Sequence, residues 1–543
     1  MEKMIRQISS LYKIRDLSDL TAAKERTAVK LFRNEQASYQ VCLYTREERH
    51  HRFSVDADGL DAECYFVKNG VMDYPCYEDH DEDLLTEEPG PMPDLLVPAE
   101  ACGFQQSTRD SVVTMWIRLS VPKDAEAGTR RICVTVQTEE ENETFGAVLT
   151  AEIYPFTLPE HKTMFSQWFH TDCIAEAYHL TPWSEAHWEM TGRFMKAARN
   201  LGISLILTPV LTPALDTKVG TERLCTQLAV ITEQDGRYGF DFSRVGRYID
   251  LARANGIENF EISHLFSQWG LKAAPNIYVD GRLKFGWHTD SKGPEYRDFL
   301  TQFLPALVAY LKEKDAFSHA YFHISDEPGE GEELENYRYA AGLVRPYLED
   351  RPVMDAISNI EFYRQGLMDI PVTASNHMVP FLQEKIENQW TYYCCGQYKK
   401  TGNRFLAFPS YRNRILGTQI YRHNVKGFMH WGFNFYHSAV SRYQIDPYLT
   451  TSGDRSWPSG DPFSVYPGPE GPYYSLRSII FREALQDVEI FRMLEAKTSR
   501  GYVEKKIDEA AGYELTFEEY PRNYDYIEDL IASVREEIIH GEA

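Results

Sequence analysis

The sequence predicts a multidomain fold with β and α/β parts. An N-terminal β-sandwich spans residues 1–160, a (β/α)8 TIM-type barrel spans 161–500, and a short helical tail spans 501–543. Three observations predict it. With 543 residues the chain is long enough for two or three domains. Its first third alternates apolar and polar residues with period two, the mark of half-buried strands. Beyond residue 164 a strand, loop and helix pattern recurs eight times.

The sandwich strands are "SYQVCLYT" (38–45), "AECYFV" (62–67), "SVVTMWIRLSVP" (111–122) and "RRICVTVQT" (130–138), with a Pro/Gly turn at "VPKDAEAGT" (121–129). The acidic "EDHDEDLLTEE" (78–88) reads as a solvated loop, because it lacks the spaced ligands and glycine of a calcium site. "PFTLPEHKT" (155–163) marks the boundary. The eight barrel strands are "FSQWFH" (165–170), "ISLILTP" (203–209), "NFEISHLF" (259–266), "HAYFHIS" (319–325), "PVMDAIS" (352–358), "VTASNH" (372–377), "QWTYYCC" (389–395) and "GFMHWGF" (427–433). Helical periods fill 293–314, 332–347 and 475–495, where Ile479, Ile480, Leu485, Val488, Phe491 and Leu494 share an apolar face. Short connections after the fifth and sixth strands predict an irregular barrel. "YDYIEDLIASVREEII" (524–539) adds one amphipathic helix.

Composition narrows the partners. A net charge of −24, from 81 acidic and 57 basic residues, repels phosphate backbones and anionic membranes. Neither nucleic acid nor membrane is expected as a partner, and the surface neither requires nor forbids a dimer. The N-terminal "MEKMIRQISSLYKIRDLSDL" lacks an apolar signal region, so a cytoplasmic location is expected. Nine cysteines, without CxxC spacing, fit reduced thiols, and dispersed histidines predict no metal. Aromatics at 13% suit a carbohydrate surface, although a β-rich core consumes them equally.

In a TIM-type barrel the active site sits at the C-terminal strand ends. Asp326 and Glu327 follow the fourth strand there. An isolated Asp-Glu in a loop is ordinarily a solvated turn; the residues at the other strand ends change that reading. His170, Trp269, Asn376, His377, Trp390, Tyr392, Tyr393 and Trp431 recur at this end and suit a polar, ring-shaped ligand. A glycosidase normally sets two carboxylates across the scissile bond, about 5–5.5 Å apart when retaining. The seventh and eighth strands offer none, and Asp355 on the fifth lies back from the strand end. A 2-acetamido sugar removes the need by attacking its own anomeric carbon through the amide oxygen. Asp326 would then hold the amide N–H, ionised, while Glu327 would act as acid and then base with a raised pKa. Both enter one pocket only if the chain bends at 325–328. Two alternatives stand: a conventional retaining glycosidase with a protein nucleophile, and a carbohydrate-binding protein on a glycosidase fold.

"FHISDEP" (322–328), "TPVLTPALDT" (208–217), "FEISHLFSQWGLKAAP" (260–275), "GFMHWGFNFY" (427–436), "VYPGPEG" (465–471) and "SLRSIIFREALQDVE" (475–489) together resemble family-123 glycoside hydrolases, a family of β-N-acetylgalactosaminidases and bacterial relatives. The resemblance spans 160–495 and accommodates the sandwich as an accessory domain. It implies substrate-assisted retention without a cofactor. Asp326 becomes the acetamido-orienting residue, Glu327 the acid/base, and Tyr392 or Tyr393 the partner of the acetamido oxygen. Trp431 would stack on the sugar. Arg477 and Arg482, in the last motif, are expected to make structural ion pairs instead of reaching substrate.

Overall fold

The computed structural model describes residues 3–101, 104–139, 143–213, 215, 217, 221 and 223–541. The N-terminal part is two sheets packed face to face. One pairs Lys3–Ser9, Gln36–Thr45, Ser111–Ser120, Asp61–Met72 and Gly90–Pro98 in that order, all antiparallel. The other orders Ala28–Arg33, Glu143–Thr157, Gly128–Thr138, Arg49–Asp56 and Gln105–Ser107. Period-two residues Val41, Leu43, Ile117, Leu119, Val134 and Val136 fill the space between them, as alternation requires. The first sheet is extended from far along the chain. Gly471–Ser475 pairs with Gly90–Pro98, and Val465–Gly468 forms the edge.

All eight expected strands are present and short: β1 (Met164–Gln167), β2 (Leu205–Thr208), β3 (Asn259–Ile262), β4 (Ala320–Phe322), β5 (Met354–Ile357), β6 (Ile370–Ala374), β7 (Trp390–Tyr392) and β8 (Gly427–His430). They form two parallel sheets, ordered β1-β8-β7-β6-β5 and β2-β3-β4. A lone parallel bridge, Phe322 to Val353, spans one seam. At the other, Ser204 N–H donates to Phe165 O over 2.9 Å. The intervening helices include Pro294–Glu313, opened by a proline whose missing N–H costs nothing there, and Leu476–Lys497, capped by Ser475 Oγ on Ser478 N. The linkers after β5 and β6 hold short helices, Glu361–Arg364 in the first and Ser375–His377 with Met378–Glu384 in the second.

Ion pairs and hydrogen bonds tie the parts together. Arg477 is buried against Asp94 of the sandwich, with bonds of 2.7 and 2.9 Å, the structural role expected of it. The tail holds two helices where one was expected, Arg500–Ala511 and Asp525–His540. The second buries Ile527, Leu530, Ile531 and Val534, and Arg535 pairs with Glu35 of the sandwich. The acidic stretch 78–88 is not a free solvated loop. Asp79 pairs with Lys399 (2.6 Å), Asp81 with Arg412 (2.7 Å) and Arg522 (2.8 Å), and Asp83 accepts from Tyr411 (2.5 Å). Those partners lie more than 300 residues away in sequence, so local charge patterning could not show them. Among the described residues no helix is long and apolar enough to cross a membrane.

Candidate active site

A cavity opens at the C-terminal ends of the parallel strands, floored by Trp168 and reached by Asp326, Glu327, Tyr392, Trp431 and Trp457. A larger cleft between sandwich and tail is filled with ion-paired groups such as Arg414, Glu483 and Asp487, and no parallel strand end contributes to it. The strand-end cavity is therefore the candidate site.

The bend expected at 325–328 is present and has an identifiable cause. Asp355 on β5 accepts Ile324 N–H (3.1 Å) and Ser325 N–H (3.3 Å), and Ser325 Oγ–H donates to Ser267 O (2.8 Å). Trp269 N–H donates to Asp326 O over 3.0 Å. Glu327 then takes φ +44°, a left-handed conformation that costs about 1–3 kcal/mol for a side-chain-bearing residue. That reversal replaces strand alternation and lets adjacent carboxyls share one cavity. Tyr392 Oη–H donates to Glu327 Oε1 at 2.5 Å. Burial and the neighbouring Glu327 raise the Tyr392 hydroxyl well above its ordinary range, so it remains a donor.

Asp326 is raised well above the ordinary carboxylate range, first by burial and then by the charge of Glu327. This differs from the expected ionised Asp326. Asp326 is 9% exposed and among the described residues no cation bonds its carboxyl, so burial and the Glu327 charge favour its protonated form in the free site.

Beneath the pair, His323 is held between two carboxylates. Its Nδ1 lies 2.7 Å from Asp355 Oδ1 and its Nε2 2.6 Å from Glu261 Oε1, and all three side chains are wholly buried. Glu261 also accepts Trp168 Nε1–H (2.5 Å) and Ser166 Oγ–H, fixing the cavity floor. His264 stacks on His323 with centroids 4.3 Å apart. His264, His323 and Asp355 are close enough to suggest a metal site, but His323 spends both nitrogens at hydrogen-bond distances that leave no space for an ion. Asp172, with Cys173, Glu176 and His437, is likewise committed, to Arg223 at 2.6 Å.

The opposite wall is aromatic. Trp431 Nε1–H donates to Asp461 Oδ2 (3.0 Å), and the Trp457 ring lies 4.9 Å from Trp431. Burial pushes Asp461 up to about 7. His430 accepts Gly432 N–H at Nδ1 (3.0 Å), is neutral through burial, and has Arg404 2.9 Å away. The loop bearing Trp457 is held by the sandwich: Asp73 accepts Thr450 Oγ1–H (2.8 Å), Thr451 N–H (3.1 Å) and Ser452 Oγ–H (2.5 Å).

A model of the glycoside hydrolase 123 catalytic domain matches residues 168–494. The chain belongs to glycoside hydrolase family 123. A family 123 glycoside hydrolase from Clostridium perfringens, solved to detail glycolipid glycan hydrolysis, has a similar fold. Its TM-score is 0.77 at 16% identity, covering 99% of this chain and 98% of that one. The β-glucuronidase of Parabacteroides merdae covers 89% of this chain and 52% of its own at 9% identity. Its TM-score of 0.33 carries no argument. Among curated proteins none matches.

In this family-123 hydrolase, Trp269, Tyr392 and Trp431 join Asp326 and Glu327 at the cavity, with Trp269 half exposed on its rim. The other sequence-predicted residues do not line it. His170 is buried behind Trp431, bonding Trp431 O (2.9 Å) through Nε2 and Arg223 (3.1 Å) through Nδ1. Tyr393 faces away and its hydroxyl donates to Asn413 (3.1 Å), so alternation along β7 selects Tyr392. Trp390, two residues earlier, packs where a Cβ on Gly427 would come within 2.2 Å of its ring. Asn376 and His377 are exposed, and Asn376 accepts from Gln397 (2.9 Å). Asp216, in the motif 208–217, lies outside the described residues. Sequence reasoning missed Trp457, Cys394 and Cys395 as lining groups, and Glu261 and His323 beneath. The last two carried a signal: polar residues inside the apolar runs "NFEI" and "YFHI" must find partners once buried.

Proposed function

We propose that this enzyme is a retaining exo-glycosidase that removes terminal β-linked 2-acetamido sugars, N-acetylgalactosamine foremost, with the substrate's own amide oxygen as nucleophile. The observation that carries the reading is the carboxylate inventory: among the described lining residues only Asp326 and Glu327 are acidic, and they are neighbours. Asp355, the sequence alternative for a nucleophile, is bonded to His323, Ile324 and Ser325 and does not line the cavity. Enclosure by Trp168, Trp269, Trp431 and Trp457 supports an exo mode. The two parallel sheets are read as arcs of one (β/α)8 barrel, which the Phe322–Val353 bridge and the Ser204–Phe165 hydrogen bond support.

The roles follow from protonation. When the substrate amide N–H reaches Asp326, it favours the ionised carboxylate, and the proton held there passes to Glu327. Glu327 then protonates the leaving oxygen as the amide oxygen closes on the anomeric carbon, giving an oxazoline-type intermediate. Water, deprotonated by Glu327, opens it with retained configuration. Once Glu327 is protonated, Tyr392 turns its one O–H from Glu327 to the acetamido oxygen, and Trp431 is the stacking face.

The test is nitrophenol release from β-GalNAc, β-GlcNAc and β-galactoside substrates by wild type, Glu327→Gln and Asp326→Asn. Turnover is expected only with acetamido sugars, and each variant should lose about 10²–10⁴-fold in kcat. Equal cleavage of the plain galactoside would sink substrate assistance.

A further inference from the structure

Asp355, His323 and Glu261 form a buried chain directly below the carboxylate pair that the proposed reaction does not consume. We propose that His323 is a positioning residue for Asp326 and Glu327: clamped between Asp355 and Glu261, it fixes the backbone from which Asp326 projects and sets a positive charge under that carboxyl. The inference rests on the glycosidase reading above for its kinetic consequence, but not for its geometry.

The clamp is specific about protons. A neutral imidazole has one N–H and can donate to only one carboxylate. Here both ring nitrogens lie 2.6–2.7 Å from carboxylate oxygens, which two ionised carboxylates satisfy only with a doubly protonated ring. Burial opposes that charge, yet the bonds to Asp355 and Glu261 push His323 up to about 10. The stacked His264 is held well below the ordinary imidazole range by burial and by the His323 charge, so it does not compete for the proton.

Asp355 couples this ring to the site. The carboxylate that grips His323 also accepts Ile324 N–H, Ser325 N–H and Tyr337 Oη–H, two of them on the backbone immediately before Asp326. Around Asp326, Glu327, Asp355 and Glu261 act to hold its proton on, and His323 opposes them. Tyr392, protonated, completes the set by donating to Glu327. Without His323 the Asp326 carboxyl would ionise at higher pH, later than the amide-orienting role requires.

Two measurements test this on the full chain. Histidine-selective ¹⁵N NMR of wild type at pH 8 should show both His323 ring nitrogens protonated, and Asp355→Asn should abolish one. In kinetics, His323→Gln should lower kcat on the order of 10²-fold with KM changed less than about threefold. It should also move the kcat/KM limb for Asp326 ionisation to higher pH. Tyr337→Phe, which trims one bond from Asp355 but keeps the imidazole, should leave that limb in place. A singly protonated His323 at pH 8 overturns the clamp whether or not any glycoside is cleaved. An unmoved limb in His323→Gln overturns the electrostatic role. Failure of wild type on every acetamido glycoside would instead fell the functional reading, with the NMR result still deciding the clamp.

Discussion

On the β3–β5 side of the cavity, three wholly buried ionisable groups, Glu261, His323 and Asp355, hold the carboxylate pair from below. On the β7–β8 side, Trp431 and Trp457 present rings held by Asp461 and, through the loop 450–459, by Asp73 of the sandwich. The first side stays within the parallel strands and spends its bonds on fixing charge. The second depends on a different part of the chain and fixes shape. The difference teaches where each kind of damage should register: protonation and kcat on one wall, affinity and KM on the other.

The largest effect should come from the charged side. Besides its loss of kcat, Asp326→Asn should be more heat-stable than wild type at neutral pH. The sign follows from its raised pKa: the folded state binds a proton that the unfolded carboxyl, near about 3.9, has released. Folding therefore pays for this carboxyl once pH exceeds the unfolded value, and the amide removes that penalty. A gain in Tm at pH 7 is expected, vanishing below about pH 4. A variant no more stable at pH 7 would place Asp326 outside the strained, buried state described. His323 carries the opposite sign. Its stabilisation is complete below the unfolded value of about 6.5 and is lost as pH rises toward about 10. The stability deficit of His323→Gln should therefore shrink over that window.

Next in size is the aromatic wall. Trp431→Ala removes the ring that faces the cavity while leaving Asp326 and Glu327 untouched. kcat/KM should fall about tenfold, or ~1.4 kcal/mol, mostly through KM. A fall confined to kcat would mean that the two walls do not divide the work as argued.

This division also explains what the sequence made legible. That Asp326 and Glu327 would reach the cavity was visible because the features are local: a strand, two carboxylates and a Pro-Gly turn stand together in "ISDEPG". Tyr392 was half visible, since alternation limits the choice at 392–393 to one inward residue without saying which. The φ of Glu327 was not, because nothing in its composition demands a left-handed residue. His170 and Trp390 misled because a strand end looks the same whether its side chain reaches the cavity or supports it; only burial behind Trp431 or over Gly427 separates the two. The acidic stretch 78–88 misled for a different reason. Its cations come from 399, 412 and 522, and sequence distance conceals ion pairs that folding makes adjacent.

The smallest expected effect probes the longest connection. Asp73 lies in the sandwich part of the chain and is not itself a lining residue, yet its carboxylate accepts bonds from Thr450, Thr451, Ser452 and Ser459, which flank Trp457 on both sides. Asp73→Ala takes an acceptor from Thr450 and from the buried Thr451, Ser452 and Ser459, so the loop loosens until water enters the space the carboxylate leaves. kcat/KM should drop about two- to fivefold through KM, with the pH profile unchanged because no group near Asp326 is altered. A loss equal to that of Trp431→Ala would show that the sandwich sets the aromatic wall outright. No loss at all would show that Trp457 is held by its packing against Trp431 and Phe435 alone.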